Sequence, residues 1–118
     1  MTSPESVRSS FDWQDKALEH AKEQDPKESC GLLLLVKGKK RYWPCKNVAK
    51  YPEQMFQIAA IDYARAEERG EILAVVHSHP ISAPEPSEAD KVAASKGKIP
   101  WYIVNPRMEK WRTYKPNG

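Results

Sequence analysis

The sequence predicts an α/β domain in which a mixed β-sheet is flanked by helices. Its 118 residues suffice for one domain with a buried core. Short apolar runs, which are typical of strands, alternate along the chain with stretches whose apolar residues recur at helical spacing. The predicted order is α-β-β-β-α-β-α-β-β, and this order places helices between strands, as expected for a layered α/β fold.

The first half of the chain supplies one helix and three strands in this prediction. Residues 1–10 are polar, so we expect a disordered leader there and a single domain over residues 11–118. A helix over residues 13–24 is predicted because Trp13, Ala17 and Ala21 fall on one face, with Asp12 as the N-cap. Strands are predicted at 31–36, 41–45 and 55–58, the first two joined by a hairpin turn at 37–39.

The second half of the chain supplies two helices and three strands. A helix is predicted over residues 60–69, closed by Gly70 as a C-cap. A strand over 72–77 follows, and prolines order the loop after it. The next helix begins after Ser87 and fades near Gly97. Strands at 101–104 and 110–114, joined by a turn at 105–107, complete the sheet.

Composition argues against several classes of partner. The net charge of +3 is small, and the basic residues are scattered except at 37–41, which we interpret as a solvated turn, so we expect no nucleic-acid partner. No apolar run approaches the roughly 20 residues of a membrane helix, so we expect no membrane partner. Two cysteines make no disulfide framework, which favours a reducing, cytoplasmic compartment.

His77 and His79 lie two residues apart at the end of an apolar run. Because residues i and i+2 point to the same face of a strand, both imidazoles can reach one ion. Pro80 ends the strand, and the loop leads to Ser87, a good N-cap, with Asp90 three residues on. Asp90 can return a carboxylate to the histidines, and two imidazoles with one carboxylate make an open zinc site.

A base for such a site is available in Glu28. It lies just before the strongest strand signal of the chain, residues 32–36. If that strand neighbours the His77 strand, Glu28 lies near the metal. A carboxylate at that position can take a proton from water and pass it to a leaving amine.

Each part of this pattern also has a purely structural explanation. Many His-x-His pairs are polar strand ends, and Ser87-x-x-Asp90 is an ordinary capping box, with an N-cap worth roughly 1 kcal/mol. Asp90 can be both part of the helix cap and a metal ligand, because the cap fixes where the helix begins and this start orients the Asp90 side chain. The conjunction of all four parts in order favours a metal site. We expect Ser78 to be structural, pointing away from the two histidines, and His20 to be a surface residue.

Glu28, His77-Ser78-His79-Pro80 and Ser87-x-x-Asp90, in that order, resemble the JAMM signature of the JAB/MPN/Mov34 metalloproteases. The resemblance covers nearly the whole chain, including Asn47 and the stretch 55–58, and it is strongest to the phage tail-assembly branch. It implies an MPN/JAB-like fold with cytidine-deaminase-like layering. It also implies Zn²⁺ held by His77, His79 and Asp90, catalysis by Glu28, and a hydrogen bond from Ser87 near the developing oxyanion.

The function implied by the resemblance is zinc-dependent hydrolysis of an amide or isopeptide bond in a protein or peptide substrate. In a phage, the substrate would be a tail-tip protein with a ubiquitin-like fold, processed in the bacterial host cytoplasm or in the virion tail. One alternative is a free-standing bacterial peptidase that trims a ubiquitin-like sulfur-carrier protein. Another is a non-catalytic structural component of a phage tail, against which the intact Glu28 argues. A cell-wall peptidase domain often follows in phage relatives, and we expect it to be absent or cut away here.

The hairpin leaves two registers open for the cysteines. A turn at 37–38 pairs Cys30 with Cys45, whereas a turn at 38–39 pairs Cys45 with Leu32. Only the first register permits a disulfide without backbone movement, and its Cβ separation is slightly wide for one. We expect two free, buried cysteines, with Cys30 close to the site but not catalytic. Pro44 should push its strand toward a sheet edge.

Overall fold

A computed structural model describes residues 12–116, which form three helices and a five-stranded sheet. The helices are α1 (Trp13–Gln24), α2 (Ala60–Arg69) and α3 (Glu88–Gly97). The strands are β1 (Cys30–Val36), β2 (Lys39–Cys45), β3 (Glu71–Ser78), β4 (Trp101–Asn105) and β5 (Lys110–Tyr114). The predicted α/β class is confirmed, and the expected leader at residues 1–10 lies outside the described residues.

The sheet is mixed, with strand order β2-β1-β3-β4-β5. β1 pairs antiparallel with both β2 and β3, β3 and β4 run parallel, and β4 and β5 run antiparallel. Cys30 at the start of β1 pairs with His77 near the end of β3. The segment that carries Glu28 is therefore beside the strand that carries the histidines, which is the neighbour relation that the Glu28 prediction required.

The side chains of β1 alternate between two cores, one on each face of the sheet. Leu33 packs with Trp13 of α1 on one face. Leu32 and Leu34 pack on the other face with the buried alanines of α2 and α3, Ala66 and Ala94. Full burial of a leucine contributes roughly 1.5–3 kcal/mol, so β1 anchors both layers.

The helix predictions are confirmed to within a residue, with one difference at Gly70. The Asp12 side chain caps α1 by accepting from the Gln14 N–H at 3.4 Å. Gly70 ends α2 in extended backbone, with φ −176°. A side chain at this position would run into the Leu35 carbonyl oxygen, so close approach to β1 is what requires glycine. No helix among residues 12–116 is long and apolar enough to cross a membrane.

The predicted strand at 55–58 is wrong. In its place the structure has an isolated bridge between Asn47 and Ile58. Asn47 Oδ1 accepts from the Gln57 N–H at 3.0 Å, and Asn47 Nδ2 donates to the Met55 carbonyl at 3.0 Å. The Asn47 side chain thus takes two backbone hydrogen bonds of this segment, and the Gln57 carbonyl accepts from the Val48 N–H at 2.8 Å.

The hairpin between β1 and β2 adopts the first of the two registers. Its turn residues, Lys37 and Gly38, both have positive φ (51° and 79°), as a type I′ turn requires. Cys30 therefore pairs with Cys45. Both are free, buried thiols, and burial is the main reason that the pKa of each is raised to about 12. Pro44 lies on β2, which forms a sheet edge as predicted.

Candidate metal centre

Three side-chain atoms converge beyond the end of β3. His77 Nε2 lies 3.2 Å from His79 Nε2 and 3.3 Å from Asp90 Oδ2, and His79 Nε2 lies 3.2 Å from the same oxygen. In a tetrahedral site with bonds of about 2.0 Å, neighbouring ligand atoms lie about 3.3 Å apart. The triangle therefore has the size of one face of a metal tetrahedron, and these residues could hold an ion with one position open.

The capping box of α3 fixes the Asp90 carboxylate. Ser87 Oγ accepts from the Asp90 N–H at 3.0 Å, and Asp90 Oδ2 accepts from the Ser87 N–H at 2.9 Å. This Oδ2 atom is also the oxygen that faces both histidines. The structural and the metal-ligating interpretations of the Ser87–Asp90 pair are therefore compatible, because one carboxylate oxygen has both sets of contacts.

The two imidazoles are held in different ways. His79 Nδ1 lies 3.1 Å from the Ala83 carbonyl oxygen, so Nδ1 carries the proton and Nε2 keeps its lone pair for an ion. His77 Nδ1 is buried and has no hydrogen-bond partner in the described part of the chain. Packing fixes this ring instead, because Phe56 stacks on it at 4.4 Å and Trp101 meets it edge-on at 5.3 Å between ring centroids.

Glu28 adjoins the triangle. One potential ligand atom from each of Glu28, His77 and His79 lies within 4.8 Å of the other two. The Glu28 backbone N–H donates to the Pro52 carbonyl at 2.7 Å, and its carbonyl accepts from Asn47 Nδ2 at 2.9 Å. Both backbone groups of Glu28 are therefore tied to the segment between β2 and α2.

Burial and hydrogen bonding set the protonation of this metal-free cluster. Burial lowers the pKa of His77. Burial would raise the pKa of Asp90, but hydrogen bonds to His77 and His79 outweigh it and hold the pKa well below its usual range. Burial alone would lower the pKa of His79, but the hydrogen bonds to Asp90 and to the Ala83 carbonyl, together with the charge of Glu28, raise it. A neutral His77 and an ionised Asp90 are the forms that metal binding needs.

The carboxyl of Glu28 has a different pKa from that of Asp90. The pKa of Glu28 is raised to about 7, mainly by burial; the charge of His79 acts against this rise, and the charge of Asp90 adds to it. A carboxyl group with a pKa near neutrality can both accept and release a proton.

Two positioning contacts were not predicted from the sequence. Ser78 points away from the histidines, as expected, and its Oγ accepts from the Ser29 N–H at 2.7 Å, next to Glu28. Asn47, which the sequence marks only through the family resemblance, donates to the Glu28 carbonyl. An Asn side chain in a loop often accepts from the backbone N–H two residues on, forming an Asx turn, and the Ala49 N–H does donate to Asn47 Oδ1 at 3.0 Å.

The expectation that His20 is a surface residue is wrong. His20 is half-buried, and its Nδ1 lies 2.6 Å from the Tyr42 hydroxyl. Gly31 leaves room for the Tyr42 ring, which any Cβ at that position would strike. The pair joins α1 to the edge strand β2, so His20 has a structural contact far from the metal centre.

The chain is similar in sequence to known proteins. The family of prokaryotic homologues of the JAB domain matches residues 11–115. Tail tip assembly protein K of Escherichia phage N15 is 38% identical over 104 residues, which are 88% of this chain and 43% of that protein. Tail tip assembly protein K of Escherichia phage lambda is 46% identical over 43 residues, 36% of this chain and 22% of that protein. The chain thus spans less than half the length of either relative.

Solved structures share the fold. A protein from Desulfitobacterium hafniense superposes with a TM-score of 0.70 at 25% identity, covering 86% of this chain and 76% of that one. A JAB1/MPN domain protein from Archaeoglobus fulgidus gives 0.58 at 22% identity, covering 89% and 83%. A structure described as a JAMM metalloprotease-like zinc site in the proteasome and signalosome gives 0.54 at 23%, covering 89% and 82%. With the family match over nearly its whole length, the chain belongs to the JAB/MPN family as a prokaryotic JAB-domain homologue.

Proposed function

We propose that this domain is a zinc-dependent metallopeptidase that hydrolyses an amide or isopeptide bond. The observation that carries the proposal is the triangle formed by His77, His79 and Asp90, with edges of 3.2, 3.2 and 3.3 Å. Two imidazoles and a carboxylate with an open position are typical of catalytic rather than structural zinc. The adjoining carboxyl of Glu28 supports the same conclusion, because a structural ion needs no base.

Each residue has a distinct role in this proposal. His77, His79 and Asp90 hold the ion, which when bound supplies a Lewis acid for the scissile carbonyl and activates water. Glu28 is the general base: its carboxylate takes the proton of the attacking water and then delivers that proton to the leaving amine.

Ser87 is proposed to stabilise the developing oxyanion. Its Oγ already accepts from the Asp90 N–H, so its own hydroxyl proton is free to donate. Ser87 also lines the same groove as Glu28 and His79. The helix cap uses the lone pair of the Ser87 hydroxyl, and the proposed oxyanion contact uses its proton. Hydrogen-bond donors that are preorganised in this way lower the barrier for acyl transfer.

The proposed substrate is a protein or peptide of the phage tail tip. One candidate is a tail-tip protein with a ubiquitin-like fold. The support is the name of the relatives in phages N15 and lambda, tail tip assembly protein K. The proposed partners are therefore tail proteins, met in the host cytoplasm or in the virion tail.

The test incubates zinc-loaded wild type and Glu28→Gln separately with the tail proteins that are encoded together with this protein. Any fragments are identified by mass spectrometry. We expect fragments with wild type only. Glu28→Gln removes the carboxylate but keeps the shape of the side chain. A loss of fragments in this variant therefore reports on the carboxylate and not on misfolding. Equal fragmentation by both proteins would contradict the role of Glu28.

The second candidate is a non-catalytic tail component, favoured by the word assembly in the name of both relatives. It predicts stable binding of a tail protein, with identical behaviour of wild type and Glu28→Gln and no fragments from either.

A further inference from the structure

An apolar groove runs from the metal centre between α2, α3 and the segment 54–58. Its volume is about 670 Å³, within the usual range for ligand pockets. Glu28, His79 and Asp90 line one end of it. The groove is therefore continuous with the position at which the proposed function requires the scissile bond.

The groove walls are apolar side chains held in place by the fold. Phe56 packs against Trp101 with ring centroids 5.4 Å apart, and both line the groove. Met55 and Tyr63 stand at the rim, 47% and 37% exposed. Exposed apolar side chains that border a preformed concave surface indicate a contact surface for a ligand.

Small residues keep this groove open on the α3 side. Ala89 and Ala93, four residues apart, lie on the same face of α3, and both line the groove. Apart from Glu28, His79 and Asp90 at the metal centre, the lining residues have no acidic or basic side chains to pair with a charged substrate group. An uncharged, bulky side chain is the substrate group that this surface can desolvate favourably.

We propose that the groove binds a large apolar side chain, of the leucine, methionine or phenylalanine class, on a substrate residue next to the scissile bond. The inference rests on the proposed function for the position of that bond. A substrate with glycine on both sides of the bond would leave the groove unfilled and lose the contacts of Phe56 and Met55.

The test measures binding, so that it does not depend on turnover. Zinc-loaded protein is titrated calorimetrically with acetyl-leucine hydroxamate and acetyl-glycine hydroxamate, and with reversed hydroxamates that place the side chain on the other side of the metal. We expect the leucine compound of at least one pair to bind about tenfold or more tightly, as burial of a leucine side chain implies.

Groove variants with matched controls locate the preference. Ala93→Leu should fill the groove and reduce the leucine-to-glycine affinity ratio to about threefold or less, whereas Ala64→Leu, at an exposed position of α2 outside the groove, should leave it unchanged. Met55→Ala should lower the ratio, and Met108→Ala, an exposed methionine elsewhere, should not.

Equal affinities for the leucine and glycine compounds in both directions would overturn the inference, as would an unchanged ratio in both Ala93→Leu and Met55→Ala. If none of the hydroxamates binds, both the proposed role of the groove and the proposed metal site are contradicted. A leucine preference that responds to the groove variants, in a protein that cleaves nothing, would support the groove and count against the proposed catalysis only.

Discussion

Replacing Asn47 with alanine should destabilise the protein and loosen Glu28 at the same time. Asn47 Nδ2 donates to the carbonyl oxygens of Glu28 at 2.9 Å and Met55 at 3.0 Å. Its Oδ1 accepts from the backbone N–H groups of Ala49 and Gln57, both at 3.0 Å. One side chain therefore joins Glu28, two residues before β1, to the segment that forms a wall of the groove.

The size of the effect follows from these four hydrogen bonds. Each contributes about 1 kcal/mol net, and less where water can replace the partner, as at Met55 and Gln57. We expect Asn47→Ala to lower the free energy of unfolding by about 2–3 kcal/mol, which reduces the folded-to-unfolded ratio roughly 30- to 150-fold. If Glu28 is the general base, as proposed, the loss of its carbonyl partner should lower kcat more than it changes KM.

Urea unfolding followed by tryptophan fluorescence measures the stability loss. Asn47→Asp is the matched control: it keeps an acceptor for Ala49 and Gln57 but loses the donor to Glu28, so we expect an intermediate loss. An Asn47→Ala protein with the wild-type unfolding midpoint would refute the reasoning, as would an Asn47→Asp protein as stable as wild type.

Three further predictions concern buried groups. Ser78→Ala leaves the buried Ser29 N–H without its acceptor and should cost about 1–3 kcal/mol in urea unfolding; an unchanged midpoint would contradict this. Because the Glu28 pKa is raised from 4.5 to about 7, metal-free wild type should lose stability as the pH rises from about 4.5 to 7, and Glu28→Gln should lose less; parallel pH profiles of the two proteins in chelator would exclude this linkage. Thiol titration should find both cysteines free in denaturant and unreactive in the native protein, and a count of zero in denaturant would indicate a disulfide.

The parts of the fold that were predictable from sequence depend on contacts between residues close together in the chain. Trp13, Ala17 and Ala21 share a helix face whatever lies opposite, and all three are buried. The i, i+2 spacing of His77 and His79 and the Ser87–Asp90 cap are equally local. The position of Glu28 beside the histidines needed one long-range fact, the pairing of β1 with β3.

The features that sequence could not supply depend on distant partners. The apolar spacing at 55–58 resembles a strand, but the Met55 carbonyl and the Gln57 N–H of that segment bond to the Asn47 side chain. The His20 contact depends on Tyr42, which is 22 residues away and on another element. The hairpin register stayed open because it requires Lys37 at positive φ, a conformation that is uncommon for lysine.

The most direct test of the central claim is zinc content and peptide cleavage measured on the same preparations of wild type, Glu28→Gln and His77→Ala/His79→Ala. The account predicts one zinc ion per chain in wild type and in Glu28→Gln, cleavage by wild type alone, and neither zinc nor cleavage in the histidine variant. Equal zinc in the histidine variant and wild type would contradict the metal site. Full cleavage by Glu28→Gln, or loss of zinc from it as complete as from the histidine variant, would contradict the role of Glu28 as base.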